Sequence, residues 1–205
     1  LAKERRSKFL WVHVMRVNEL EDLAEEIRKF PININEFELI QLMKIKRRWP
    51  LRYPWGQPSV EIINNVSNTH SPFYNDRGEF NYKEWRSLYN QGYTTILSDI
   101  LDLTEQTRML DVLLKMKIGN PVNGNFYWSR TGQLPSFYPH KHEYPVIVKQ
   151  VYGNCTWKIG DKEIELAPGL TAIIPKQTEH AVLNKPEDKL SLTLYQELLI
   201  IVTFD

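Results

Sequence analysis

The residues with the clearest chemical potential in this chain are three histidines. His140 and His142 sit two apart in Pro139-His140-Lys141-His142-Glu143. On a strand, residues two apart point to the same side, so both imidazoles can aim at one point. His180 lies at the start of a later expected strand, after the turn Pro168-Gly169 and the apolar run Leu170 to Pro175. Two imidazoles from one strand and a third from a distant one make a facial metal site. Such a site leaves the opposite coordination positions open for substrate and oxygen. Fe(II), Ni(II), Cu(II), Co(II) and Zn(II) suit imidazole, whereas Mg and Ca prefer oxygen ligands. A bare His-x-His pair on a surface strand commonly binds nothing; the third histidine and the motifs around it are what favour a metal here.

Composition narrows the alternatives. The 205 residues contain 5 His and one Cys, Cys155, which excludes an internal disulfide framework and a thiolate-rich zinc site. Lys+Arg 26 against Asp+Glu 25 leaves a formal charge of +1, giving no electrostatic case for nucleic acid or an anionic membrane. No apolar run approaches the roughly 20 residues of a membrane helix, and the first residues lack the apolar core of a signal peptide. A cytoplasmic protein is the expectation. No Gly-rich nucleotide loop and no Gly-x-Ser-x-Gly elbow occurs. His13 and His70 belong to no motif and read as structural or surface histidines.

The elements that must position the histidines follow from periodicity. Phe9 to Val17 reads as a strand, behind a charged and frayed 1–7. A helix is expected from Asn18-Glu-Leu-Glu21, with Leu20, Leu23, Ala24 and Ile27 on one face and Pro31 as its stop. Phe37 to Ile45 alternates in the strand manner. Arg47, Arg48 and Arg52 with Trp49, Tyr53 and Trp55 read as an exposed loop with aromatic anchors rather than a nucleic-acid surface. Val60 to Val66 is an expected strand, 67–79 a polar, turn-rich stretch, Tyr82 to Tyr89 a short helix, and Thr94 to Ile100 a strand. Asp102 or Thr104 starts a helix whose stripe of Met109, Leu110, Leu113, Leu114 and Met116 reads as core packing, with Gly119 as its C-cap. From Asn123 the texture is β only, with strands expected over 124–130, 145–152, 155–159, 162–166, 171–174, 179–183 and 190–203. Regular spacing with turn signals predicts an antiparallel barrel or jelly roll. The expectation is one domain over 1–205, an α/β elaboration (1–92) leading into a β-rich core (93–205).

His140 is followed by Gln150, Val151-Tyr152-Gly153 and Trp157, and later by Pro168-Gly169-Leu170, Ile173-Ile174-Pro175 and His180. In that order the motifs resemble the core of the JmjC-like and cupin-like hydroxylases that use Fe(II) and 2-oxoglutarate. Gly92-Tyr93-Thr94-Thr95-Ile96-Leu97 and Asn125-Phe126-Tyr127 are similar to the ribosomal-oxygenase branch. The likeness covers roughly residues 92–194, about half the chain. It implies a double-stranded β-helix, a mostly β barrel with flanking helices, with the metal inside. It also implies His140, His142 and His180 as ligands, His142 standing where the family has Asp. Glu143 could replace that carboxylate only through a local bulge, because its side chain alternates away from the two histidines. Asn125, Tyr127 and Ser191 match the family's cosubstrate contacts. Cys155 occupies the place of the cation that pairs with the distal carboxylate of 2-oxoglutarate, so that charge is expected from Lys158, Arg130 or Lys176. Gln150 and Trp157 are expected beside the pocket, Gln150 as a second layer behind the ligands or as a partner for strand polar groups. Cys155 reads as buried and structural rather than nucleophilic.

The resulting expectation is a mononuclear non-haem iron oxygenase that hydroxylates a C–H bond with 2-oxoglutarate and O2. The target is a protein, a peptide or a small molecule, and Ni or Zn can stand in for iron. A three-His cupin dioxygenase or isomerase that binds its substrate directly on the metal is the second reading. A barrel that has kept its pocket and lost the chemistry is the third. Oligomeric state stays open, a homodimer included.

Overall fold

Strands of the back half are two-faced, and that decides which side chains meet inside. The computed structural model describes residues 17–45, 60–64, 69–70, 80–119, 122–131, 137–184 and 186–195. The front half holds α1 (Val17–Lys29), α2 (Glu36–Ile45), β1 (Val60–Asn64), β2 (Thr69–His70), α3 (Tyr82–Asn90), β3 (Thr94–Leu97) and α4 (Glu105–Ile118). Then come β4 (Asn123–Ser129), β5 (Val146–Tyr152), β6 (Cys155–Ile159), β7 (Lys162–Leu166), β8 (Thr171–Ile174), β9 (His180–Asn184) and β10 (Lys189–Tyr195). Seven strands form one antiparallel sheet in the order β2-β1-β3-β4-β10-β5-β8, and three form a second in the order β7-β6-β9. The fold is the expected mostly β double-stranded β-helix with flanking helices. Of the expected elements, 9–16, the Arg/Trp loop around 47–55, most of 67–79 and the end of the last strand at 196–203 lie outside the described residues.

Two apolar cores sit on opposite faces of the larger sheet. Leu190, Leu192 and Leu194 of β10, Phe126 and Trp128 of β4 and Ile147 of β5 pack outward against the helices. Val146 and Val148 of β5 with Ala172 and Ile174 of β8 pack inward against Cys155, Trp157 and Ile159 of the smaller sheet. On the helix side, Trp85, Tyr89 and Trp128 form a ring cluster with centroids 4.7 to 5.2 Å apart. The Trp85 indole N–H donates to Thr95 Oγ1 at 2.9 Å. Lys149 is the polar exception on the outer face. Its ammonium donates to the carbonyls of Ile27 and Arg28 at 2.9 and 2.8 Å, placing a cation on the C-terminal end of α1 and fastening that helix to β5.

The segment Phe37 to Ile45 is helical (α2), not a strand. Leu39, Leu42 and Met43 are buried while Phe37 stands 69% exposed, which is the helical spacing. The start signal is a reciprocal cap. Asn35 Oδ1 accepts from Glu38 N at 3.0 Å, and the Glu38 carboxylate accepts from Asn35 N at 2.8 Å. Capping chemistry and tertiary burial override an apolar pattern that also fits period two. A second correction concerns α4. Leu110 and Leu114 are buried, but Met109 and Met116 are 58% and 80% exposed, so the core-facing stripe is narrower than expected. The ends of α4 match expectation: Thr104 and Thr107 form a reciprocal cap, and Gly119 closes the helix at φ 70°.

Gly153 turns β5 into β6 with φ +67°, and a Cβ there would run into the Asp188 carbonyl that leads into β10. Gly153→Ala should therefore lower the free energy of unfolding by more than about 2 kcal/mol in urea titration, because strain and collision add. Leu110→Ala should cost about 2–5 kcal/mol in the same measurement. Met116→Ala should stay within about 0.5 kcal/mol.

Candidate metal centre

His140 lies in the stretch between β4 and β5, and the backbone pins it to β9. Its N–H donates to the His180 carbonyl at 3.2 Å, and His180 N–H donates back at 2.9 Å. His142 is held in a similar way: Gln177 N–H donates to its carbonyl at 2.7 Å. Gln177 has a left-handed φ of 61°, the conformation that turns β8 into β9. Reciprocal pairing of His140 with His180, together with the two-residue spacing to His142, brings three rings into one cluster. The centroids are 4.9 Å (His140–His142), 4.4 Å (His140–His180) and 5.0 Å (His142–His180) apart.

Each ring offers one ligating nitrogen, and those atoms all lie within 4.8 Å of one another. Nδ1 of His140 is 2.8 Å from the Tyr138 carbonyl, and Nδ1 of His180 is 3.0 Å from the Thr178 carbonyl. A carbonyl only accepts, so Nδ1 carries the proton and Nε2 presents its lone pair to the cluster centre. Stacking on Tyr144 at 5.1 Å and 5° sets the His142 ring, and Phe137 flanks His140 at 5.3 Å. His180 is buried; the other two are half-buried.

Burial is the first cause of a lowered proton affinity at two of the rings. His142 falls from 6.5 to about 4, helped by the neighbouring charges of His140 and His180. His180 is lowered too, through burial, with the Thr178 carbonyl opposing. Neutral imidazoles are what a metal ion needs, so burial favours the ligating form at His142 and His180.

The cluster lies in the wall of a cavity of about 500 Å³, open mouth included, lined further by Tyr127, Phe137, Val146, Val148, Trp157 and Lys189. Of the other expected site residues, Tyr127 and Trp157 line this cavity. Asn125 is buried behind it, accepting from Asp99 N at 3.2 Å and donating to the Tyr195 hydroxyl at 3.3 Å. Ser191, Gln150 and Cys155 form a buried network: Ser191 Oγ donates to Gln150 Oε1 at 2.7 Å, and the Cys155 thiol donates to the same oxygen at 3.3 Å. Gln150 Nε2 meanwhile closes the β5–β6 turn by donating to the Tyr152 and Gly153 carbonyls. It serves strand polar groups and the network, not the histidines.

Glu143 and Lys158 do not join the site. Glu143 is exposed and accepts from Gln177 Nε2, so among the described residues no carboxylate joins the histidine cluster. Lys158 is exposed because Trp157 and Ile159, its neighbours on β6, take the inward positions. Arg130 bonds Asn90 outside the barrel, and Lys176 is exposed. The cation in the cavity is Lys189, which the sequence reading missed. A signal for it existed: Lys189 is two residues before Ser191 on a strand and must share its face.

No protein-family profile matches the chain, and no curated protein matches it in sequence. Solved structures do match. The ribosomal oxygenase YcfD from Escherichia coli, solved with cobalt and succinic acid, is 17% identical with a TM-score of 0.57. The match covers 84% of this chain and 46% of that one, so the chain spans under half the length of that protein. This likeness shows a cupin/JmjC-like fold and no more. The lyase DddQ from Ruegeria pomeroyi (19% identity, TM-score 0.36, 40% and 42% of the two chains) also matches. So does an RmlC-like cupin from Shewanella frigidimarina (15%, TM-score 0.35, 40% and 71%).

Proton uptake should oppose both folding and metal binding. Between pH 6.5 and about 4 the unfolded chain protonates a histidine that the folded chain keeps neutral. The unfolding free energy of metal-free protein should therefore be fully expressed above pH 6.5 and fall as pH drops through that window. His142→Phe should flatten this dependence in denaturant titrations. At about a hundredfold excess over its dissociation constant, Zn(II) or Co(II) should stabilise the protein by about 3 kcal/mol, and His180→Ala should remove that gain.

Proposed function

We propose that the chain is a metal-dependent cupin-type enzyme, and that its reaction is Fe(II)-dependent hydroxylation of a C–H bond with 2-oxoglutarate as cosubstrate. The observation that carries this is the three-His cluster, whose free nitrogens converge at the wall of an apolar cavity inside the barrel. YcfD, the structure of like fold, is an oxygenase that held cobalt and succinic acid in its crystal, consistent with a metal and a small diacid in one barrel. The donor set fits a borderline divalent ion: three imidazoles, two of them pre-oriented by carbonyls and the third stacked on Tyr144. Bound there, iron supplies oxygen activation coupled to oxidative decarboxylation of the oxo acid.

The chain's own residues do the rest. His140, His142 and His180 would hold the ion at the cavity wall. Val146, Val148 and Phe137 exclude water from the reacting space. The Tyr127 phenol, whose burial keeps its proton on, supplies a donor at the wall. The substrate proposed is a protein, peptide or small molecule presented at the cavity mouth. Localisation in the cytoplasm remains part of the proposal; among the described residues no helix is long and apolar enough to cross a membrane.

A second reading is favoured by one observation: among the described residues no carboxylate joins the three histidines. A neutral three-His set leaves the ion its full charge, which suits a substrate anion bound directly on the metal with no cosubstrate. Purified protein should contain about one equivalent of iron or a related metal by elemental analysis. The iron-loaded form should convert 2-oxoglutarate to succinate slowly even without substrate, and His140→Ala should abolish both. Stoichiometric metal with no effect of 2-oxoglutarate on the spectrum of the Co(II) form would shift the assignment to the second reading. Absence of metal would overturn both.

A further inference from the structure

The three histidines of the candidate metal centre are not held alike. His140 and His180 are each fixed twice. Their backbones exchange reciprocal hydrogen bonds, and each Nδ1 rests on a carbonyl, Tyr138 at 2.8 Å and Thr178 at 3.0 Å. Such a partner fixes the tautomer, stops the ring turning about its Cβ–Cγ bond and strengthens the opposite nitrogen as a donor. His142 is held differently. Among the described residues no carbonyl, carboxylate or hydroxyl bonds to its ring nitrogens; the ring is flanked by Tyr144 instead.

The hold on His142 is a stack of two tyrosines. Tyr144 lies on the imidazole at 5.1 Å and 5°, and Tyr195 lies on Tyr144 at 5.1 Å and 17°. Both tyrosines pack against the inner core and are half-buried. Local sequence and register explain why they meet. Pro145 confines Tyr144 to extended backbone, and Tyr195 pairs with Val146 at the end of β10, so the two rings are diagonal neighbours. The far end of the stack is anchored. Asn125 Nδ2 donates to the Tyr195 hydroxyl at 3.3 Å, and Asn125 Oδ1 accepts from Asp99 N at 3.2 Å. Asn125, expected from the resemblance to touch a cosubstrate, thus reaches the histidine cluster through two tyrosines.

Stacking and hydrogen bonding constrain a ring in different ways. A hydrogen bond from Nδ1 fixes the direction in which Nε2 points. A stack fixes only the plane: the ring can slide along its neighbour, and a half-turn about Cβ–Cγ leaves the plane unchanged. When the His142 imidazole moves, no hydrogen bond to a described residue has to break. From this asymmetry we infer that His142 is the exchangeable ligand of the proposed centre. His140 and His180 keep the ion, His142 gives up its place to an incoming chelating anion, and Tyr144 and Tyr195 are positioning residues that keep the released ring in place for its return. The inference rests on the metal reading of the cluster and adds a division of labour within it.

The test follows the three rings separately by NMR of histidine-15N protein loaded with Zn(II). Oxalate, a compact chelating anion, should return the His142 ring signals to their metal-free positions while those of His140 and His180 stay shifted. Zn(II) titrations against a chromophoric chelator supply a second readout. His142→Ala should weaken Zn(II) about tenfold, and His140→Ala or His180→Ala about a hundredfold or more. Tyr144→Leu should weaken Zn(II) about threefold and broaden the His142 signals alone. Tyr144→Phe should restore both, because the stack needs the ring and not the hydroxyl. Tyr195→Phe keeps the ring but cuts the Asn125 bond, and should fall between them. Oxalate that moves no ring, moves His140 or His180 first, or moves all three together overturns the exchange, as do equal losses in the three His→Ala variants. Tyr144→Phe behaving as Tyr144→Leu overturns the positioning role. The oxalate measurement uses the unsubstituted protein and so does not depend on any variant folding. Zn(II) that shifts no ring signal overturns the metal reading itself. Zn(II) on three rings that oxalate treats alike leaves that reading standing and removes only the exchange.

Discussion

The period-two alternation of β10 governs this molecule. This strand lies between β4 and β5 at the centre of the larger sheet and faces two interiors at once. Leu190, Leu192 and Leu194 fill the core under the helices, while Lys189, Ser191 and Thr193 face the barrel. A shift of one residue would put three leucines in the cavity and an ammonium in the helical core. Pairing fixes the register on both sides, with Ser191 opposite Tyr127 of β4 and Gln150 of β5. Because both faces are buried, the cost of slippage is large, and the polar face can be held inside the barrel although it contains a lysine.

The same logic explains how a site assembles from pieces far apart in the chain. His140 and His142 share a side by their spacing, but nothing local brings His180 to them. The reciprocal backbone bonds between His140 and His180 do that, and they belong to the barrel's closure rather than to any ligand chemistry. Carbonyls of Tyr138 and Thr178 then orient two rings. Desolvation lowers the proton affinity of His142, His180 and Lys189 alike. One low-dielectric cavity thus acts in the same direction on every one of these basic side chains.

Legibility in the sequence followed the range of the interaction. The back-half strands were readable to within a residue or two at most of their ends because turn glycines and Pro168-Gly169 punctuate them, and both ends of α4 were readable from Thr104 and Gly119. Failures came where two local rules competed. Phe37 to Ile45 satisfies both periods, and the Asn35–Glu38 cap decided for a helix. Met109 and Met116 fit an apolar stripe yet face outward, because the width of the buried face depends on what packs against it.

By itself the sequence determined a β-rich barrel, the three histidines that converge, and the parity that sends Glu143 away from them. Only the tertiary structure decided which cation enters the cavity. Lys158, Arg130, Lys176 and Lys189 are chemically similar in a sequence. What separates them is the side of the sheet on which each emerges and whether its surroundings are water or packed side chains. Those are properties of strands paired across long separations, and they bury Lys189 with Ser191 as its hydrogen-bond partner while its rivals stay solvated.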